Sequence, residues 1–269
     1  MTSVRPGPEW VSIAASGSVR TPPAGSPSYT AGMSNPVVAL VVAAGMGTRF
    51  GGPLPKPVVP LADSTVIGVA IESLAAGGVD AVVVVISRSA EHHFISALAT
   101  CSLPLTVVTG GDTRQESVLR GLEAIAAHPE LSAARIVLVH DAVRPLVPPD
   151  MVARVIDAVG SGARAVTPAL PVVDSLRRVE RDGLSSPVDR SELRAVQTPQ
   201  GFDFATLLDS HRAAVERGVE ATDDVGVCEA AGHQVTLVEG AATAFKITRA
   251  EDLDLARALL ALRQEEGQP

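Results

Sequence analysis

From residue 37 to residue 169 the chain alternates five short apolar runs with four segments of helical pattern, which leaves few folds available. The runs cover 37–43, 80–87, 105–109, 136–140 and 163–169, and the second contains Val82-Val83-Val84-Val85-Ile86. Helices are predicted between them, over about 64–76, 89–100, 113–127 and 149–159. Ser89 is placed to cap the second of these, Thr113-x-x-Glu116 is a capping box for the third, and Pro149 suits the first position of the fourth. Wholly apolar, β-branched strands are buried on both faces, as in a parallel sheet with helices on either side. Hydrophobic residues make up 46% of the chain but aromatics only 3%, so the core must be built from Val, Ala, Leu and Ile. The pattern predicts a doubly wound α/β domain over 37–263, with ligands beyond the carboxyl ends of its strands.

The alternation breaks over residues 172–197, where Arg177, Arg178, Glu180, Arg181 and Asp182 are followed by Asp189, Arg190, Glu192 and Arg194. Asp182-Gly183 signals a hairpin turn, so a polar β-arm is expected to project and to be clasped by a second subunit. A helix over 203–217, a short one from Thr222, strands over 234–239 and 244–247 and a last helix to about Arg263 complete the domain. Thr248-x-x-Glu251 reads as a capping box for that last helix, and 264–269 as a tail. Residues 1–36 are rich in Pro, Gly and Ser without a periodic apolar face, and are expected to be disordered. Met33, just before the first strand, is a candidate start of translation.

A net charge of -8 argues against nucleic acid or an acidic membrane surface as a partner. No apolar stretch reaches bilayer length, and the run from Trp10 to Ala15 is too short for a signal-peptide core. Cys101 and Cys228 form neither a disulfide framework nor a metal-ligand pattern, which fits a reducing cytoplasm.

The first strand runs into Ala43-Ala44-Gly45-Met46-Gly47-Thr48-Arg49, with Pro55-Lys56-Pro57 shortly after. Small residues and glycines let backbone N–H groups approach an anion, and Arg49 and Lys56 supply charge, so the loop suits a nucleoside triphosphate. It is not the dinucleotide fingerprint, because Phe50 stands where the third glycine belongs. Nor is it a Walker loop, because Lys56 lies between prolines with no Ser or Thr after it. Gly110-Gly111-Asp112 with Ser117 forms either a capped turn or a pocket whose amides and hydroxyl meet the edge of a pyrimidine. Asp141, at a strand's carboxyl end in His140-Asp141-Ala142-Val143-Arg144, is placed to hold Mg2+, while His140 reads as structural. Lys246 sits among apolar residues and therefore needs an anionic partner, from the protein or from a ligand phosphate.

In order, these motifs, with Asp174-Ser175, Val188-Asp189-Arg190, Thr198-Pro199-Gln200, Thr222-Asp223 and Lys246-Ile247-Thr248, resemble the 2-C-methyl-D-erythritol 4-phosphate cytidylyltransferase family from about residue 37 to 262. The resemblance implies a Rossmann-like, mostly parallel sheet of the nucleotide-diphospho-sugar transferase type and CMP transfer from CTP to a polyol phosphate. It implies that Ala43, Ala44, Gly111, Asp112 and Ser117 surround the cytosine while Gly45, Met46, Gly47, Thr48, Arg49 and Lys56 hold the triphosphate. It further implies Mg2+ on Asp141, and Arg144, Ser175, Thr198, Thr222 and Lys246 around the acceptor. Arg190 would enter a neighbouring subunit's site from the arm of a homodimer. Ser175 stands where the family pattern usually has threonine, and Asp224 where glutamate is usual. A ribitol 5-phosphate cytidylyltransferase, or a nucleotide-binding regulator without chemistry, would share the same frame.

Overall fold

The computed structural model describes residues 10–13, 19–20, 35–45, 54–181 and 183–265, without the side chains of 10–13, 19–20, 264 and 265. In chain order the strands and helices are β1 (Trp10–Ile13), β2 (Val19–Arg20), β3 (Val37–Ala43), the small hairpin β4 (Pro60–Leu61) and β5 (Ser64–Thr65), α1 (Val66–Ala76), β6 (Ala81–Ile86), α2 (Glu91–Leu98), β7 (Leu105–Thr109) and α3 (Arg114–Ala127). There follow β8 (Ile136–Asp141), α4 (Pro149–Gly160), β9 (Ala165–Pro171), β10 (Leu176–Val179), β11 (Ser185–Val188), β12 (Arg194–Val196), β13 (Gln200–Asp203), α5 (Phe204–Arg217), α6 (Asp224–Ala230), β14 (Val235–Glu239) and α7 (Ala250–Glu265).

The main sheet has the order β12-β9-β13-β8-β3-β6-β7-β1-β2, with β14 beside β9. Strands β8, β3, β6 and β7 are parallel, and β13 runs antiparallel between β8 and β9. The expected doubly wound architecture is present. Ala39, Val41, Val82 and Val84 face α1, α2 and α4 in one core layer, whereas Val38, Leu40, Val83 and Val85 face α3, α5 and α6 in the other. Successive residues of one strand thus serve opposite layers, which explains why these runs carry no polar alternation. From β3 the chain winds outward through β6 and β7, then returns to place β8 on the other side of β3. The gap between β3 and β8 is therefore the topological switch point, where ligands of such sheets bind.

Several boundaries differ from expectation. Ser64 and Thr65 belong to a hairpin strand, and α1 starts at Val66 with Thr65 capping Gly68 N–H. Ser89 caps nothing: its hydroxyl pairs with that of Ser87, and α2 begins after a tight turn at 88–90. Residues 244–247 are not a strand, because a turn over Ala242–Ala244 leads into irregular chain. The carboxylate serving the α7 entrance is Asp252, which accepts from Thr248 N–H and Arg249 N–H, and not Glu251. Asp223, not Thr222, caps α6. The N-terminal extension, expected to lack structure, contributes β1 antiparallel to β7 and β2 beside it. The β-prone Trp10-Val11-Ser12-Ile13 thereby covers what would otherwise be an open sheet edge.

The polar arm is a hairpin of β10 and β11 that pairs with nothing in the main sheet. Gly183 takes the turn with φ +82, while Asp182 lies outside the described residues. Strand β12 then returns to pair with the end of β9.

At the end of α3, the buried His128 ring accepts Glu130 N–H and Leu131 N–H on Nδ1, which ends the helix in a defined turn. Burial holds the His128 pKa below its ordinary 6.5. As pH falls below 6.5 the unfolded chain gains this proton before the folded one, so stability is full above 6.5 and is lost on acidification. His128→Asn keeps an acceptor but does not titrate. In urea unfolding at pH 7 and pH 5, the parent should lose more stability between the two than this variant.

Candidate active site

The carboxyl ends of β3, β7 and β8 open onto a cavity of about 340 Å3 at the switch point. Of the residues expected to carry function, Ala43, Ala44, Gly45, Lys56, Gly111, Asp112, Ser117, Asp141 and Lys246 line it. Met46, Gly47, Thr48 and Arg49 lie outside the described residues.

The loops after β3 and β7 touch because position 110 has no side chain. A Cβ on Gly110 would stand 2.7 Å from Ala44 Cβ and 2.8 Å from Ser117 Oγ. Ser117 is buried; its hydroxyl accepts Gly111 N–H at 3.0 Å and donates to Thr113 O at 2.8 Å. Glu116 accepts Asp112 N–H at 2.8 Å. The amides expected to read a pyrimidine edge are thus taken up by the protein's own side chains. Their contribution is to make a rigid wall.

Asp141 is the electrostatic centre of the cavity. Its Oδ2 accepts from Lys246 Nζ at 2.8 Å and lies 3.7 Å from Arg144 Nε; its Oδ1 lies 3.9 Å from Arg114 Nη2. Burial acts to raise its pKa, but Lys246, Arg114 and Arg144 outweigh that and hold it below the usual aspartate value. The partner of Lys246 is therefore a carboxylate of the protein, although its side chain is 48% exposed and not buried as its apolar neighbours suggested. Lys56 is buried, and its ammonium donates to Ile247 O at 3.1 Å and Thr248 O at 3.2 Å. It ties the β3–β4 connection to the segment that carries Lys246.

Behind Asp141, His140 is fully buried, and burial pushes its pKa down to about 4. Its Nε2 lies 3.1 Å from Arg144 O, which can only accept, so the neutral ring carries its proton there. The bare Nδ1 then accepts from the Thr198 hydroxyl at 3.1 Å, whose oxygen in turn accepts Asp141 N–H at 3.1 Å. His140 is structural, as expected. Thr198 holds the backbone of Asp141. Arg144 donates to Ala244 O and stands beside Asp141 without lining the cavity. Ser175, Arg190 and Thr222 are exposed and do not line it either; Arg190 donates to Val173 O.

One lining residue escaped the sequence reading. Arg114, the first residue of α3, bonds Asp224 at 2.6 Å. A cation in the first turn of a helix faces the positive end of the dipole, and that mismatch was the available signal.

Among the described residues no group of three or more His, Cys, Asp or Glu is gathered for a metal. That does not exclude Mg2+, which needs only one or two carboxylates when phosphates and water fill its other positions. Asp141 and Asp112 line the cavity, and Asp141 Oδ1 has its nearest cation at 3.9 Å, so the donor set fits a metal carried largely by a nucleotide.

A Rossmann-like sheet with a cation-rich pocket at its switch point defines a class of protein that binds anionic, nucleotide-like ligands. The family model described as IspD, 2-C-methyl-D-erythritol 4-phosphate cytidylyltransferase, matches residues 37–262, and the chain belongs to that family. The enzyme of that name from Streptomyces coelicolor is 44% identical over 238 residues, covering 84% of this chain and 85% of its own. The one from Rhodococcus opacus is 45% identical over 234 residues, covering 86% and 96%. The crystal structure of the Thermus thermophilus cytidylyltransferase superposes with a TM-score of 0.69 at 38% identity, covering 84% of this chain and 99% of that one.

Thr198→Val keeps shape but leaves Asp141 N–H and His140 Nδ1 without their shared partner. The expected cost is about 1–3 kcal/mol in urea unfolding. A loss below about 0.5 kcal/mol would remove the holding role from Thr198.

Proposed function

We propose that the chain transfers CMP from CTP to 2-C-methyl-D-erythritol 4-phosphate, giving 4-diphosphocytidyl-2-C-methyl-D-erythritol and pyrophosphate for isoprenoid precursor synthesis. The observation that carries this reading is the convergence of Lys56, Lys246, Arg114 and Asp141 on one pocket at the switch point of a chain in this family. An oxygen of the acceptor phosphate attacks the α-phosphorus of CTP; the new P–O bond forms as the bond to the β-phosphate breaks. The nucleophile is already ionised at neutral pH, so no protein base is needed. Two polyanions must instead be brought together and the developing charge met by fixed cations.

Arg49 and Lys56 take the charge on the α-phosphate and the leaving group, and Lys246 stands where donor and acceptor phosphates meet. The backbone of Gly45, Met46, Gly47 and Thr48 cradles the triphosphate, with Ala43, Ala44, Gly111, Asp112 and Ser117 as walls around the base. A divalent cation, Mg2+ first, when bound by Asp141 and the nucleotide, neutralises phosphate charge. Arg144, Ser175 and Thr222 serve the acceptor side, whereas Thr198, buried and outside the cavity lining, acts there only through the Asp141 backbone it holds.

The arm supports a homodimer. Its Val173, Val179 and Leu184 are 79%, 77% and 69% exposed, an apolar set that a second copy would cover. Arg190 would then complete the neighbour's site. Small-molecule substrates, the net charge of -8 and the lack of any helix long and apolar enough to cross a membrane among the described residues fit a cytoplasmic enzyme.

Pyrophosphate release with CTP should be supported by methylerythritol phosphate and not by ribitol 5-phosphate, and should stop when EDTA removes divalent metal. Release with ribitol 5-phosphate alone would reassign the acceptor; none with either would leave a binding protein. Lys246→Ala should lower kcat on the order of 100- to 1000-fold while the protein stays folded. Lys56→Ala should lose a similar factor and also stability, because two carbonyls lose their donor. Mixed dimers of Arg190→Ala and Lys56→Ala subunits should regain activity that neither parent shows; none in proven mixed dimers would remove the contribution in trans.

A further inference from the structure

Arg114 occupies a helix position that repels cations, so its placement needs an anion to hold it. That anion is Asp224, whose Oδ2 accepts from Arg114 Nη2 at 2.6 Å. The Asp224 side chain is 1% exposed, and its Oδ1 lies 3.2 Å from Nε2 of His211, which is fully buried. The ring and the carboxylate are close without being aligned as a hydrogen bond. The backbone is fixed as well. Gln200 Oε1 accepts Asp224 N–H and Val225 N–H, and Gln200 Nε2 donates to Asp223 Oδ2 at 2.8 Å. Gln200 belongs to the same Thr198-Pro199-Gln200 segment whose threonine holds Asp141 N–H. One short segment therefore positions both carboxylates that flank the Arg114 guanidinium. Its Nε and Nη1 have no partner among the described residues, and the residue lines the cavity.

We infer that Asp224, backed by His211, is a positioning residue that fixes the Arg114 guanidinium in the nucleotide cavity, so that what Arg114 gives to CTP binding depends on a carboxylate outside the cavity. This rests on the cavity being the CTP site. A different role for the same contact, in which Arg114 merely neutralises a buried acid, would affect stability alone.

A double-mutant cycle separates the two. Calorimetric titration with CTP and Mg2+ is done on the parent, Arg114→Gln, Asp224→Asn and the double variant, each checked for folding by circular dichroism. Each single substitution should weaken Kd roughly 10- to 100-fold, the size of one charge-assisted hydrogen bond. The double variant should be no more than about threefold weaker than Arg114→Gln, because Asp224 has nothing left to position. Losses that multiply, or an Arg114→Gln protein that binds CTP like the parent, would overturn the inference. If Asp224→Asn fails to fold, Asp224→Glu keeps the charge and should bind within about fivefold of the parent, a difference that disappears in the Arg114→Gln background. Persistence of the difference there would overturn the inference equally. A parent that binds no CTP would instead sink the nucleotide reading of the cavity, and this inference with it.

Discussion

An ionised carboxylate with little access to water needs cations or hydrogen-bond donors around it, and the one on which this pocket turns belongs to Asp141. Four separate segments send something to it: Arg114 from α3, Arg144 from the turn after β8, Lys246 from the approach to α7, and the Thr198 hydroxyl to its backbone N–H. Desolvation alone would push the acid toward its neutral form, and the three cations reverse that. Without Asp141 they would stand together as like charges. The node explains why residues from sequence positions 114 to 246 meet at one point, and why the pocket holds its cations in place before any phosphate is present.

Much of the frame was legible because wholly apolar strands can be buried in only one way. Strands β3 and β7 fall on the expected residues, and β6 and β8 fall within a residue of theirs, since their Val and Ile runs serve two core layers at once. Strand β13 was missed for the opposite reason: Gln200-Gly201-Phe202-Asp203 carries only one large apolar side chain, and its strand character comes from β8 and β9 on either side. Gly201 is needed there because a Cβ would come within 2.4 Å of Val155 on α4. Such long-range pairing leaves no local pattern to read.

The site was legible to the extent that charge in an apolar context demands an explanation. Lys246 drew attention on that ground, and its partner is a carboxylate. Arg114 did not, because it lies inside the capping box of Thr113 and Glu116, which by itself accounts for that stretch of sequence. Thr198 was expected around the acceptor; the fold instead joins its hydroxyl to His140 and to the backbone of Asp141. Hydroxyls and amides that hold charged groups of the pocket from behind carry no signature in composition or spacing, since their partners lie tens of residues away.

A chain with a net charge of -8 that is to gather two polyanions faces an apparent contradiction, which distance resolves. At physiological salt the Debye length is about 8 Å, so most of the surface acids are screened from a ligand in the cavity. On the proposed reading, what the ligand would sense is the local set, in which Lys56, Lys246, Arg114 and the adjacent Arg144 outnumber Asp141 and Asp112, while Asp224 spends its charge on the rear of Arg114. Burying that acid behind the arginine, and not beside the ligand, allows the guanidinium to be held firmly without placing a further negative charge where phosphates must come. The overall acidity then costs little in binding, and the interior placement of Asp224 is what reconciles a rigid cation with an anionic substrate.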